Sequence, residues 1–138
     1  MTKTDVHCPC GAVMTIELRG EPVMQFYCHC EDCRAVGGGA YLGLALFPSD
    51  AVTTRGKTDT WTLRSLARER CAVCGTHVFA AVPAFGQHAI KSNLLPEGLF
   101  KPAFHIHCRR AVLPVVDDLP HYAALPAAFG GTDEQVGW

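Results

Sequence analysis

The sequence predicts a mainly β protein built of short strands, and two observations support this prediction. Its apolar segments are short, and none keeps a period of 3.6 residues over several turns. Glycine and proline recur between these segments, as they do between the strands of all-β domains. Two short cysteine pairs, each followed by glycine, indicate two similar loops that face one another.

The predicted elements follow one another as short strands joined by turns. A strand is predicted at 13–18, and Gly20-Glu21-Pro22 ends it. A short helical turn is expected at 34–39, and the apolar run 41–47 fits a buried strand. The charged segment 64–70 is expected to form a solvated edge. Further strands are predicted at 23–27, 52–54, 60–66, 76–82, 88–92, 104–107 and 111–116.

Length and composition indicate one globular domain spanning 1–138. The chain has 138 residues, of which 49% are hydrophobic and 18% charged, and this balance suits a single core. The core is expected to span about 8–126, with the tail from 126 onward lying loosely over the surface.

Charge and hydropathy restrict the partners that we expect. The formal net charge is −1, so no basic field favours nucleic acid. The longest apolar stretches are too short to cross a bilayer, and no secretory signal precedes the first cysteine. We therefore expect a cytoplasmic protein, and the sequence leaves its oligomeric state open.

Seven of the eight cysteines lie in three clusters with the spacing of metal ligands. The clusters are Cys8 and Cys10; Cys28, Cys30 and Cys33; and Cys71 and Cys74. A disulfide framework is the alternative, since eight is an even number. A reducing cytosol favours metal ligation, and Cys-x-Cys is too tight for relaxed disulfide geometry.

The two cysteine pairs together supply four thiolates, which close a tetrahedral zinc site and make it structural. Gly11 and Gly75 follow the pairs and allow the positive φ of a metal-binding loop. Joining Cys8 and Cys10 to the later pair closes a loop of roughly sixty residues, so bound zinc contributes to folding. The alternative is two reduced cysteine clusters without metal.

The triplet Cys28, Cys30 and Cys33 supplies only three thiolates, which leaves zinc an open position for chemistry. A thiol bound there would ionise near neutral pH and could attack an aldehyde. His29, Asp32 and Arg34 lie in or beside this loop.

Two other interpretations of the triplet stay open. A further ligand could close the site, the candidates being Cys108, His107 and His105, or Cys30 and Cys33 could be a redox-active C-x-x-C pair. By itself, Cys108 is expected to be a small buried apolar residue. The two histidines are expected on one face of a strand.

The order of the clusters, C-x-C-G, C-H-C-x-x-C and C-x-x-C-G, resembles the glutathione-dependent formaldehyde-activating enzyme (GFA) family, which shares a domain with centromere protein V. Phe104-His105-Ile106 and Asp118-Leu119-Pro120 are similar to the C-terminal segment of that family. The resemblance covers the chain from about Cys8 to Pro126. It implies an Mss4-like β-tent of short antiparallel strands around a structural zinc site.

The resemblance also implies a function. It implies one zinc on the residues matching the two cysteine pairs and a second, catalytic zinc on those matching the triplet. The implied chemistry is of the carbon–sulfur lyase type, joining formaldehyde and glutathione, with glutathione as co-substrate. We therefore predict an enzyme acting on a thiol–aldehyde adduct; the alternatives are a non-enzymatic zinc module that binds a protein partner and a thiol redox enzyme.

Overall fold

A computed structural model describes residues 2–12 and 15–138. The prediction of a mainly β fold is confirmed, since the described residues form ten short strands and one α-helix. The strands are β1 (Lys3–His7), β2 (Thr15–Arg19), β3 (Met24–Cys28), β4 (Leu42–Pro48), β5 (Val52–Arg55), β6 (Thr58–Leu63), β7 (Leu66–Cys71), β8 (His77–Val82), β9 (Gln87–Lys91) and β10 (Phe104–Ile106). The helix α1 spans Glu31–Gly37, so it begins three residues earlier than predicted. The predicted strand at 13–18 begins on two residues outside the described ones.

The chain divides into two compact units, each made of two chain segments. The first comprises Met1–Met24 and Ala45–Phe100, and the second comprises Gln25–Leu44 and Lys101–Trp138. The prediction of a single domain stays a prediction. None of the helices in the described parts of the chain has the length and apolar character that crossing a membrane requires.

The first unit contains a three-stranded antiparallel sheet in the order β1-β2-β5. Alternate residues of a strand face opposite sides of its sheet, and in β2 the inward ones are Ile16 and Leu18, both 0% exposed. They join Phe47, Val78 and Ile90 in an apolar core. Cys8 and Cys71 belong to the same core, which fixes two site residues in a packed environment.

The strands β6, β7, β8 and β9 of the first unit pair in chain order, each antiparallel to the next. Here two predictions were wrong: 60–66 is not one strand and 64–70 is not a solvated edge. A β-hairpin turns at Arg64, whose φ is 60°, and β7 continues to Cys71. Arg68 is buried because its guanidinium donates hydrogen bonds to the carbonyl oxygens of Leu63 and Leu66, each at 3.1 Å.

The second unit is organised by parallel pairing of β10 with β3. This pairing sets Phe104 beside Phe26, His105 beside Tyr27 and Ile106 beside Cys28. The aromatic rings of Phe26 and Phe104 stack with centroids 5.5 Å apart. This stacked pair lies two residues before Cys28, the residue at which β3 ends and the cysteine triplet begins.

The C-terminal segments differ from the predictions. Residues 111–116, predicted as a strand, form none. The tail from 126 onward, expected to lie loosely, makes specific backbone bonds: Val136 N–H donates to the carbonyl of His121 at 2.9 Å. Ala123 N–H likewise donates to the carbonyl of Glu134 at 2.7 Å. These bonds hold the tail against the segment that follows β10.

Candidate functional site

Four cysteines of the first unit converge on one point. We call Cys8, Cys10, Cys71 and Cys74 the tetrathiolate group; their sulfur atoms all lie within 4.8 Å of one another. The sulfurs of Cys10 and Cys71 are 3.9 Å apart, close to the roughly 3.8 Å that a tetrahedral ion with metal–sulfur bonds of about 2.3 Å requires. Those of Cys8 and Cys10 are closer, at 3.1 Å. This donor set fits zinc.

The backbone around the tetrathiolate group has the loop geometry that the glycines predict. Gly11 and Gly75 have φ of 73° and 78°, a conformation that costs glycine little. Gly75 N–H donates to the carbonyl of Cys71 at 2.9 Å, which closes the turn. Ala12 N–H points at the sulfur of Cys10 at 3.4 Å. The amide of Ala12 therefore stabilises negative charge on the sulfur of Cys10.

Hydrogen bonds shift the pKa values of three of these thiols, and not all in the same direction. The hydroxyl of Thr76, 3.1 Å from the sulfur of Cys74, and the Thr76 amide lower the pKa of Cys74 to about 6. The amides of Cys74 and Val73 lower the pKa of Cys71. The adjacent Cys8 thiol, in contrast, raises the pKa of Cys10 to about 12. The lowered pKa values of Cys71 and Cys74 favour the thiolate, which is the form of cysteine that binds a metal.

Three cysteines of the second unit form the other group, the cysteine triplet of Cys28, Cys30 and Cys33. Cys28 ends β3, Cys30 caps the N-terminus of α1, and Cys33 lies in its first turn. The sulfur of Cys30 accepts a hydrogen bond from Cys33 N–H at 3.3 Å. The cap curls the chain, so all three sulfurs lie within 4.8 Å of one another.

The ligands considered as a fourth for the triplet do not join it. Among the residues that the structure describes, no further cysteine, histidine or acidic side chain completes this group. Cys108 is buried, as expected of a small apolar residue; burial and the nearby Asp117 carboxylate raise the pKa of its thiol to about 12. His107 follows β10 in a left-handed conformation with φ of 55°, so the predicted strand face shared by His105 and His107 was wrong.

The surroundings of the triplet favour a thiolate at Cys30. Hydrogen bonds from the thiols of Cys28 and Cys33 lower the pKa of Cys30, and the amide of Cys33 and the charge of His107 act in the same direction. Cys28 is buried, and its pKa is raised because its thiol donates a hydrogen bond to the sulfur of Cys30. Arg34 donates from Nε to the carbonyl of His29 at 3.4 Å and so braces the loop.

Sequence reasoning missed a chain of hydrogen-bonded side chains beside the triplet loop, in which two buried histidines lead to a partly exposed aspartate. His29 is 0% exposed, and its Nε2 lies 2.9 Å from Nδ1 of His105. The Nε2 of His105 in turn lies 2.7 Å from Oδ2 of Asp117. The sequence named His29 as a residue of the triplet loop and His105 as a candidate fourth ligand, but it did not place the two side chains in contact.

A comparison with models of known protein families shows the family of this chain. A family model described as "Glutathione-dependent formaldehyde-activating enzyme" matches residues 3–110, which contain both cysteine groups. The chain belongs to this family. No curated protein matches the GFA-family chain.

A solved structure supports the fold of this GFA-family chain. The structure is that of a Rhodobacter sphaeroides protein, a structural-genomics target. The two chains are 21% identical and superpose with a TM-score of 0.54, over 69% of this chain and 89% of the other. At this identity the likeness concerns the fold alone.

Proposed function

We propose that the chain is a zinc enzyme of the carbon–sulfur lyase type that joins a small thiol to an aldehyde. Glutathione and formaldehyde are the first pair to consider, because the chain belongs to the GFA family. The observation that carries the proposal is the cysteine triplet: three converging sulfurs with no fourth protein ligand among the described residues. Three protein ligands are what catalytic zinc sites use when they keep a position for substrate.

The two cysteine groups take different roles in this proposal. The tetrathiolate group holds a structural zinc, because four protein ligands leave no position for substrate. Cys28, Cys30 and Cys33 hold the catalytic zinc, which when bound lowers the pKa of an incoming thiol towards neutrality.

The chain's own residues position the triplet for this role. The amide of Cys33 supports negative charge on the sulfur of Cys30, and Arg34 braces the loop through the carbonyl of His29. Cys28 is anchored by the parallel pairing of β3 with β10. Two elements, β3 and α1, therefore hold the three sulfurs that would bind the ion.

The reaction is an addition to a carbonyl group. The thiolate sulfur forms a bond to the aldehyde carbon, the π electron pair moves to oxygen, and that oxygen takes a proton from solvent. The product with formaldehyde is an S-hydroxymethyl thiol, and the reverse direction is the lyase reaction. A cytoplasmic location would supply both glutathione and a reducing environment for the cysteines.

The test measures exchange between formaldehyde, glutathione and their adduct at equilibrium. Zinc-loaded protein should raise the exchange rate seen by magnetisation-transfer NMR, and Cys30→Ser should remove the acceleration. Cys108→Ser is the matched control, since Cys108 is also a cysteine of the second unit but lies outside the triplet. It should keep most of the acceleration.

The outcomes separate the proposal from its rivals. No acceleration by zinc-loaded protein, with glutathione or with other small thiols, would overturn the enzymatic proposal. Equal rates for Cys30→Ser and the unmodified protein would remove the triplet from the chemistry. The zinc content at the tetrathiolate group, measured alongside, shows whether each variant is folded.

A further inference from the structure

A second group of potential metal ligands lies in the second unit, and it contains no sulfur. We call His105, Asp117 and His121 the histidine–aspartate cluster; their ligand atoms all lie within 4.8 Å of one another. The Nε2 atoms of the two rings flank the carboxylate, at 2.7 Å from Oδ2 for His105 and 2.9 Å from Oδ1 for His121.

One nitrogen of this cluster has no hydrogen-bond partner among the residues that the structure describes. His121 is 5% exposed, and its Nε2 is buried. That nitrogen lies 2.9 Å from the Asp117 carboxylate, but the contact lacks the direction of a hydrogen bond. Buried polar atoms are nearly always paired, so an orphan within reach of two other ligands calls for a further partner. A cation among the three side chains would supply it.

The backbone holds the two histidines side by side. His105 N–H donates to the carbonyl of Pro120 at 2.9 Å, and Tyr122 N–H donates to the carbonyl of His105 at 3.0 Å. His105 and His121 thus form a parallel β-bridge. Leu119 N–H fixes the carboxylate of Asp117 at 3.0 Å from Oδ1. The ligands are therefore placed before any ion binds, which lowers the entropic cost of binding.

We propose that His105, Asp117 and His121 bind a divalent transition-metal ion, with Zn²⁺ as the first candidate. Two imidazole nitrogens and one carboxylate oxygen form a donor set used by zinc and by non-haem iron. The set lacks sulfur, which distinguishes it chemically from both cysteine groups. The Asp117 side chain is 30% exposed, so an ion has access from solvent.

Metal binding would reverse a hydrogen bond between two buried rings. Without metal, His105 donates from Nε2 to Asp117, and its Nδ1 accepts from Nε2 of His29. With Nε2 bound to an ion, the proton of His105 resides on Nδ1 and donates to His29. Ligating histidines use their second nitrogen in this way. His29 lies between two triplet cysteines. A metal ion in the histidine–aspartate cluster would therefore change the hydrogen bonding of a residue in the triplet loop.

The fluorescence of Trp138 gives a direct readout of metal binding at the histidine–aspartate cluster. Its ring centroid lies 4.9 Å from that of His121 and 6.1 Å from that of His105, and Trp61 is the second tryptophan of the chain. In a Trp61→Phe background, Trp138 alone would report on the cluster. A paramagnetic ion bound there should quench its fluorescence.

The experiment is a Co²⁺ titration of the full chain with both cysteine groups first loaded with zinc. We expect saturable quenching of Trp138 at one ion per chain, without the sulfur-to-cobalt charge-transfer bands that would mark displacement of zinc. Asp117→Asn should weaken Co²⁺ binding at least roughly tenfold. Asp118→Asn, the same change at the neighbouring position, should leave the affinity unchanged.

Two results would overturn the proposal. The first is no saturable quenching, and the second is equal Co²⁺ affinity in Asp117→Asn and Asp118→Asn; either makes the cluster a hydrogen-bonded network only. Should Asp117→Asn fail to fold, His121→Gln provides the same comparison. Nitrogen NMR of the His29 and His105 rings adds a second readout, because binding exchanges the protonated nitrogen in both.

Discussion

The tetrathiolate group and the cysteine triplet differ in how far apart their ligands lie along the chain. Cys10 and Cys71 are 61 positions apart, and Cys8 and Cys71 belong to the apolar core of their unit. The triplet is local, since it runs from the end of β3 into the first turn of α1. A metal at the first group would join remote segments, whereas one at the second would order a single turn. The difference indicates that metal loss should unfold one site and merely empty the other.

The largest effect expected is that of Cys71→Ser. The apparent binding free energy of a structural zinc is about 10–16 kcal/mol. This is as large as or larger than the free energy of unfolding of an ordinary domain, about 5–15 kcal/mol. We expect this variant to be insoluble or largely unfolded, as judged by soluble yield and circular dichroism. Cys108→Ser, which also replaces a buried thiol, should cost only about 1–3 kcal/mol. A Cys71→Ser protein with an unchanged melting temperature would contradict the structural role.

Stepwise chelation should separate the two groups in a single sample. We expect a strong chelator to remove zinc from the triplet first, with no change in the circular dichroism of the β-sheets. Release from the tetrathiolate group should coincide with loss of that signal, because its ligands join segments that separate on unfolding. The measurement is zinc release by a colorimetric indicator, recorded together with circular dichroism. Release of all the metal in one step that coincides with unfolding would show that the two groups do not differ.

The same contrast between local and remote neighbours explains what the sequence predicted. Cysteine spacing and trailing glycines are local signals, and they identified both cysteine groups. The hairpin of β6 and β7 was missed because its sequence is charged, while the burial of Arg68 depends on carbonyl groups that only the folded hairpin presents. Charge in a sequence indicates exposure only where no such partner exists.

The histidine–aspartate cluster was missed for a related reason. Its members follow no short motif, and the parallel pairing of β10 and the bridge between His105 and His121 bring them together. The tail was predicted to be loose from its glycine and alanine content. Its order depends on backbone bonds such as that from Val136 to His121, which composition does not encode.

Acid is expected to lower the stability of the unit that holds the tetrathiolate group, by an amount between those of the other predictions. His77 lies buried in β8, and burial, together with the charges of Lys91 and Arg68, lowers its pKa from 6.5 to about 4. Above pH 6.5 the ring is neutral in both the folded and the unfolded state, so it does not make the free energy of unfolding depend on pH. Below that pH the unfolded chain takes up a proton and the folded chain does not, so stability falls until about pH 4, by about 3 kcal/mol at most.

The variant His77→Gln isolates this contribution. Glutamine can still donate to the carbonyl of Phe79, which His77 approaches at 3.2 Å through Nε2, but it does not titrate. Acid release of metal is common to both proteins and cancels in the difference between their unfolding free energies. As the pH falls from 6.5 to 4, the unfolding free energy of His77→Gln should fall less than that of the unmodified protein. Parallel pH profiles would show that His77 does not carry the effect.

The smallest effect on stability is expected from Cys30→Ser. The sulfur of Cys30 accepts a hydrogen bond from Cys33 N–H as the N-cap of α1, and serine is among the best residues at that position. The cap survives in Cys30→Ser, so we expect a loss of less than about 1 kcal/mol, whereas Cys30→Ala should cost about 1 kcal/mol more. Both variants should lose metal at the triplet equally. Thermal unfolding beside zinc analysis checks this, and unfolding of both variants would mean that the triplet, like the tetrathiolate group, is needed for the fold.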